Sequence, residues 1–132
     1  MKAYQCSYEG GGEIFSNFYW APTAGKAREQ AFYDGVEMGD PDRYIDIEVH
    51  RIPWADGMEN ASNDEVTIAA LKQGYMFADP DFNYDLSDLD LPVLEKLGGN
   101  VNKFWEFCYQ GKIKYDDKGI SYLVEGYDQN NN

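Results

Sequence analysis

Carboxylates two residues apart on a β-strand share a face and stand roughly 6–7 Å apart. Asp46 and Glu48 have that spacing in RYIDIEVHRI, residues 43 to 52, with Tyr44 beside them. The distance approximates that between phosphates along one strand of DNA, so the chemistry on offer is imitation of a nucleic-acid backbone. Asp79, Asp81, Asp85, Asp88 and Asp90 extend the acidic supply in residues 75 to 91, a stretch with five Asp and no base. A basic groove built for DNA or RNA would attract such an array and release it as salt rises. An acidic face that serves only solubility is the competing reading.

The same stretch also has the outline of a calcium loop. Asp79, Asp81, Asn83, Asp85, Ser87 and Asp90 fall at places 1, 3, 5, 7, 9 and 12 of a twelve-residue segment. Yet Tyr84 stands where the sharp turn wants Gly, and Asp90 is one methylene short of the bidentate Glu. No metal and no other cofactor is expected. His50 is the single histidine and lies on the outward face near Glu48, which places a general acid/base within reach of a carboxylate. Around it there is no Ser-His-Asp order, HExxH, P-loop or GxSxG, so a non-enzymatic protein is expected. A small-ligand pocket that sequesters a nucleotide is a further alternative. Trp20, Tyr33, Trp54 and Trp105 could stack a base, and Lys26, Arg28, Lys112 and Lys114 could receive phosphate. Cys6 and Cys108, near opposite ends, read as small buried hydrophobes rather than as a disulfide or a nucleophile.

The formal charge is −13, from 24 acids and 11 bases. Residues 1 to 33 and 96 to 132 each balance to zero; residues 34 to 95 carry sixteen acids against Arg43, Arg51 and Lys72. A field of that sign repels nucleic acid and anionic membranes, so neither is expected as a direct partner. A basic protein surface is. No stretch resembles a signal peptide or an 18-residue apolar span, and a cytoplasmic location is expected. The oligomeric state is left open by the sequence.

These side chains need elements to hold them. KAYQCSYE and EIFSNFYW flank Gly10-Gly11-Gly12, which predicts a β-hairpin. Ala3, Gln5 and Ser7 point one way, and Tyr4, Cys6 and Tyr8 the other. Thr23 caps a helix over residues 24 to 35. Residues 43 to 52 alternate as a third strand, with Ile45, Ile47 and Val49 inward. Ser62-Asn-Asp-Glu65 is a capping box that opens a second helix. A short helix runs to Leu97, and Asn100 opens another with the stripe Val101, Phe104, Trp105, Cys108. Residues 112 to 124 predict a second hairpin. The expected class is α+β: one domain over residues 1 to 127, an antiparallel sheet packed by helices, and a disordered polar tail at 128 to 132.

Residues 4 to 54 also carry a resemblance. A hairpin is followed by Thr23, Gly25, Lys26, Ala27 and Arg28 opening a helix, then by Ile47, Val49 and Arg51 leading to Pro53-Trp54. This resembles small uncharacterised proteins of phages and prophages of Firmicutes-type hosts, over less than half of the chain. The resemblance brings no catalytic residues with it. It implies a phage accessory protein, a class in which many members counter host defences. Joined to the acidic window, it suggests an inhibitor of a host nucleic-acid-binding defence protein, such as a CRISPR effector or restriction enzyme. The suggested partner-binding residues are Tyr44, Asp46, Glu48, Asp79, Asp81, Asp85, Asp88 and Asp90.

Overall fold

Gly11 and Gly12 carry φ of +62° and +83°, the paired left-handed conformation of a two-residue hairpin turn whose twist matches its strands. They join β1 (Lys2–Gly10) to β2 (Glu13–Ala21), in antiparallel register from Lys2 opposite Ala21 to Gly10 opposite Glu13. The computed structural model describes residues 1–79 and 84–124. The polar tail expected at 128 to 132 lies outside them.

The chain is α+β, and it divides into two compact units, Met1–Ala61 and a second that begins at Ser62. In the first unit, α1 (Ala24–Tyr33) starts where the Thr23 hydroxyl accepts the Lys26 N–H at 3.2 Å. β3 (Glu48–Arg51) pairs antiparallel with β1, giving the order β2-β1-β3. The period-two pattern of β1 then decides which side chains go where. Tyr4 and Cys6 face α1 and are buried with Tyr19, Ala21, Ala27, Ala31, Met38 and Ile47. On the opposite face Ala3 packs with Ile52 and Ala55, flanked by Phe18, Trp20, Trp54 and Met58. That apolar cluster covers one end of the second face; Gln5, Ser7 and Glu9 continue it with polar groups.

The third strand is shorter than its alternation predicts. Tyr44–Asp46 is a 3-10 turn, and ladder pairing begins at Glu48 opposite Ser7. Arg43 clasps Asp46 three residues on, with Nη2 to Oδ1 at 2.9 Å and Nε to Oδ2 at 3.2 Å. The Asp46 N–H turns back to the Arg43 carbonyl, and the Tyr44 hydroxyl docks on the Gly25 carbonyl of α1 at 2.8 Å. These bonds outweigh the strand preference. Ile47 is buried as expected, but Ile45 is 69% exposed.

In the second unit, α2 (Asn63–Lys72) carries the predicted capping box, Ser62 and Glu65 each accepting the other's backbone N–H. The described parts of residues 75 to 91 are more regular than their sequence suggests. β4 (Phe77–Asp79) and β5 (Tyr84–Leu86) pair antiparallel, and a 3-10 turn, Asp88–Asp90, leads into α3 (Leu91–Lys96). α4 (Val101–Tyr109) begins at Asn100, whose side chain accepts the Lys103 N–H at 2.9 Å. Its buried stripe is Phe104, Phe107 and Cys108, packed with Leu71, Leu86, Val93, Leu94, Leu97 and Ile113. β6 (Ile113–Tyr115) and β7 (Ser121–Leu123) form the predicted second hairpin, its turn held by Asp116 accepting the Lys118 and Ile120 N–H groups. Among the described residues the strands therefore form three separate antiparallel sheets instead of one sheet under helices. Among the described residues no helix is long and apolar enough to cross a membrane.

Candidate functional site

Pairing β3 against β1 brings together polar residues that are far apart in sequence. Across the three strands Ser16, Ser7 and Glu48 form one row, and Phe18, Gln5 and His50 the next. The Gln5 amide donates to Ser16 Oγ at 2.7 Å, and the Ser7 and Ser16 hydroxyls lie 3.1 Å apart. Beyond this row, Glu9 continues the β1 face opposite Ile14. An open concavity of about 400 Å3 results, lined by Ser7, Tyr8, Glu9, Ile14, Asp46 and Glu48. Three carboxylates thus converge on it from β1, the 3-10 turn and β3.

Its electrostatics are graded. The Arg43 guanidinium, through its hydrogen bonds, holds the Asp46 carboxyl below the usual aspartate range. Asp46 is thereby partly neutralised, and its orientation is fixed. Glu48 is exposed, with the His50 Nε2 at 3.6 Å from its Oε2. His50 is itself 66% exposed in its side chain and does not line the concavity. The acid/base reading of His50 thus has one carboxylate neighbour, Glu48, on an exposed strand position outside that concavity.

The remaining predicted partner-binding residues are distributed differently from the expected array. Tyr44 is fixed to α1 through its hydroxyl, and the Arg28 guanidinium lies 5.4 Å from its ring centroid. Asp85 and Asp88 are exposed in the second unit. Asp79 ends β4, and Asp81 lies outside the described residues, together with Pro80, Phe82 and Asn83 of the calcium-like segment. Asp90 is a correction: it is 1% exposed, and its Oδ2 accepts the Ser87 N–H at 2.8 Å as a cap on the turn. The described parts of the segment are the β4–β5 ladder, Phe77–Asp79 against Tyr84–Leu86, and the 3-10 turn Asp88–Asp90. Among the described residues no three His, Cys, Asp or Glu side chains gather in metal-binding geometry.

The aromatic residues that could stack a base each have a partner within the fold. Trp20 donates to the Ala55 carbonyl at 2.8 Å, Trp54 meets Phe18 edge-on, and Trp105 meets Phe104 edge-on. Among the basic candidates, Lys26 pairs with Glu29 at 3.3 Å and Arg28 donates to the Ile47 carbonyl at 3.0 Å. Both cysteines are buried, and burial pushes each thiol up to about 11, opposite to what a nucleophile needs.

Glu9 is the carboxylate of the concavity that the sequence alone did not single out. It belongs to the charge-balanced N-terminal stretch, and only the antiparallel register of β1 with β3 carries it to Asp46 and Glu48. The signal was present in the alternation Ala3, Gln5, Ser7, Glu9, but which strand pairs with β1 is not written there.

What fold and site define is an acidic α+β protein of two units, the first with a carboxylate-lined concavity. Comparison with protein-family models, curated proteins and solved structures finds no match to this chain.

Proposed function

We propose that this chain is a phage-type accessory protein that binds and inhibits a host nucleic-acid-binding defence protein, such as a CRISPR effector or restriction enzyme. Its acidic surface would occupy the basic groove that the host protein uses for nucleic acid. The observation that carries this reading is the convergence of Glu9, Asp46 and Glu48 on one open concavity. Carboxylates held on strands and a tight turn are pre-ordered, so they lose less freedom on binding than a flexible acidic tail would. The likeness of residues 4 to 54 to phage proteins supports the choice of partner.

The test is capture from a bacterial lysate at low and high salt, with excess duplex DNA as competitor. Capture of a nucleic-acid-binding protein that both salt and DNA release is the expected result. Glu9→Lys with Glu48→Lys should remove it, because reversing charges in a matched electrostatic interface replaces attraction by repulsion. Capture that survives the double reversal, or that ignores DNA, overturns the reading.

A further inference from the structure

The first unit carries a second concavity, larger than the acidic one, of about 680 Å3. Sites for small molecules fall in the range of about 300–1,000 Å3. One side of it is a face of α1, where Lys26, Glu29, Gln30 and Tyr33 recur at steps of three and four residues. Asp34, at the end of that helix, and Tyr19 and Pro22, from β2 and the residues after it, line it as well. Its charges are largely settled within the fold. Lys26 pairs with Glu29 at 3.3 Å, and the terminal ammonium of Met1, which also lines the space, pairs with Glu59. Asp34 is left as the one lining carboxylate with no cationic partner among the described residues.

The polar groups that remain are acceptors held in place. The Tyr19 hydroxyl donates to the Asp34 carboxylate. Burial, with Asp34 beside it, holds Tyr19 above the ordinary tyrosine value, so this hydroxyl keeps its proton and stays a donor. Asp34 is thereby oriented, and any further partner must donate to it. Gln30 behaves alike: its N–H2 donates to the Trp20 carbonyl at 3.1 Å, so its carbonyl is the end it can offer. The apolar part of the lining includes Pro22, which is exposed, and Tyr33, which is 77% exposed despite its edge contact with Phe32. We propose that this concavity binds a flat heteroaromatic molecule with an amino-bearing edge, a nucleobase or nucleoside, stacked on Tyr33 and donating to Asp34. Every base has a π-face for an aromatic side chain, and an exocyclic amino group supplies the N–H donors that fixed acceptors require. Phosphate is not favoured, because Lys26 is engaged by Glu29 and the net charge of −13 repels anions. This site shares no lining residue with the acidic concavity and is independent of its role.

The test is isothermal titration of the full chain with 2-aminopurine riboside and with purine riboside, which lacks only the amino group. The amino-bearing nucleoside should bind about tenfold more tightly, since its absence leaves a carboxylate oxygen without a donor. Tyr33→Ala should weaken 2-aminopurine riboside about tenfold, the size of one lost stacking contact. Tyr33 is exposed, so that variant should keep the parent's circular dichroism. Asp34→Asn, which retains an oxygen for the Tyr19 hydroxyl, should reduce the preference for the amino group. Glu9→Lys with Glu48→Lys should leave nucleoside binding unchanged. Failure of both nucleosides to bind at millimolar concentration overturns the site, and equal affinity for the two overturns recognition by Asp34. Tighter binding of the 5′-monophosphate than of 2-aminopurine riboside, lost in Lys26→Ala, overturns the phosphate-free ligand in favour of a nucleotide.

Discussion

Asp90 has two carboxylate oxygens and, among the described residues, a hydrogen-bond partner for only one. Oδ2 takes the Ser87 N–H; Oδ1 and the nearby Ser121 Oγ are both buried and complete no hydrogen bond. Burial pushes the carboxyl above the usual aspartate range; the Ser87 N–H opposes the shift, and Asp88 adds to it. The folded state therefore holds the Asp90 proton more tightly than the unfolded chain does. Its contribution to stability is fully present below the ordinary carboxylate value and is lost as pH rises through the raised one. Asp90→Asn keeps an acceptor for the Ser87 N–H, removes the charge and points an N–H2 donor toward Ser121. At pH 7 this variant should be more stable than the parent by about 1–3 kcal/mol, the usual size of a buried unsatisfied polar group. The gain should shrink as pH falls toward 4. Asp90→Ala, which leaves the Ser87 N–H without its acceptor, should be less stable than Asp90→Asn throughout. Urea denaturation followed by circular dichroism measures all three; an Asn variant weaker than the parent at pH 7 contradicts the account. The Ser87-x-x-Asp90 spacing is itself a cap signature. In the sequence it is hidden by the density of acids from 79 to 90, which invites a surface reading of every one.

Helices and hairpins were legible where local chemistry alone specifies them. The Gly11-Gly12 turn, the Thr23 and Asn100 caps and the Ser62–Glu65 box each act within four residues, and each is where the sequence places it. Legibility failed where specific side-chain bonds, near or far in sequence, compete with the hydrophobic pattern. Residues 43 to 46 alternate as a strand should, but Arg43 finds Asp46 and Tyr44 finds α1, and no pattern of hydrophobicity encodes either event. β4 and β5 are three residues each, too short for alternation to register. The candidate site suffered the same way: Asp46 and Glu48 were readable, whereas Glu9 needed the β1–β3 register. The capping box offers a test of the local part. Glu65 N to Ser62 Oγ is 3.1 Å, and Ser62 N to Glu65 Oε1 is 3.3 Å. Ser62→Ala removes the acceptor for an otherwise orphaned N–H and should cost about 1 kcal/mol. Ser62→Asp, another good cap, should recover most of it. An Ala variant with an unshifted urea midpoint would mean that the α2 terminus is held by something other than its box.

The charge of −13 is not gathered on one unit. The first, to residue 61, holds eleven acids and five bases, a net of −6; the second, from residue 62, holds thirteen and six, a net of −7. The acidic window from 34 to 95 is thus a feature of the sequence that the fold cuts in two. Each unit carries its own self-repulsion, and that repulsion costs stability whether or not a partner exists. Salt separates the two roles the carboxylates play. Raising sodium chloride from about 0.01 M to about 0.1 M shortens the screening length from about 30 Å to about 10 Å. Like charges within a unit then repel less, and the thermal midpoint should rise; relief of about 1 kcal/mol corresponds to about 4–8 °C in units of this size. The same carboxylates, used to hold a basic surface, should hold it less tightly over the same range. Opposite signs are therefore expected: a fold that salt strengthens and a complex that salt weakens, both shifts diminished by Glu9→Lys with Glu48→Lys. If the double reversal diminishes only the thermal shift, and the affinity for the basic partner is unmoved by salt or by the reversal, the acids at the concavity serve solvation alone.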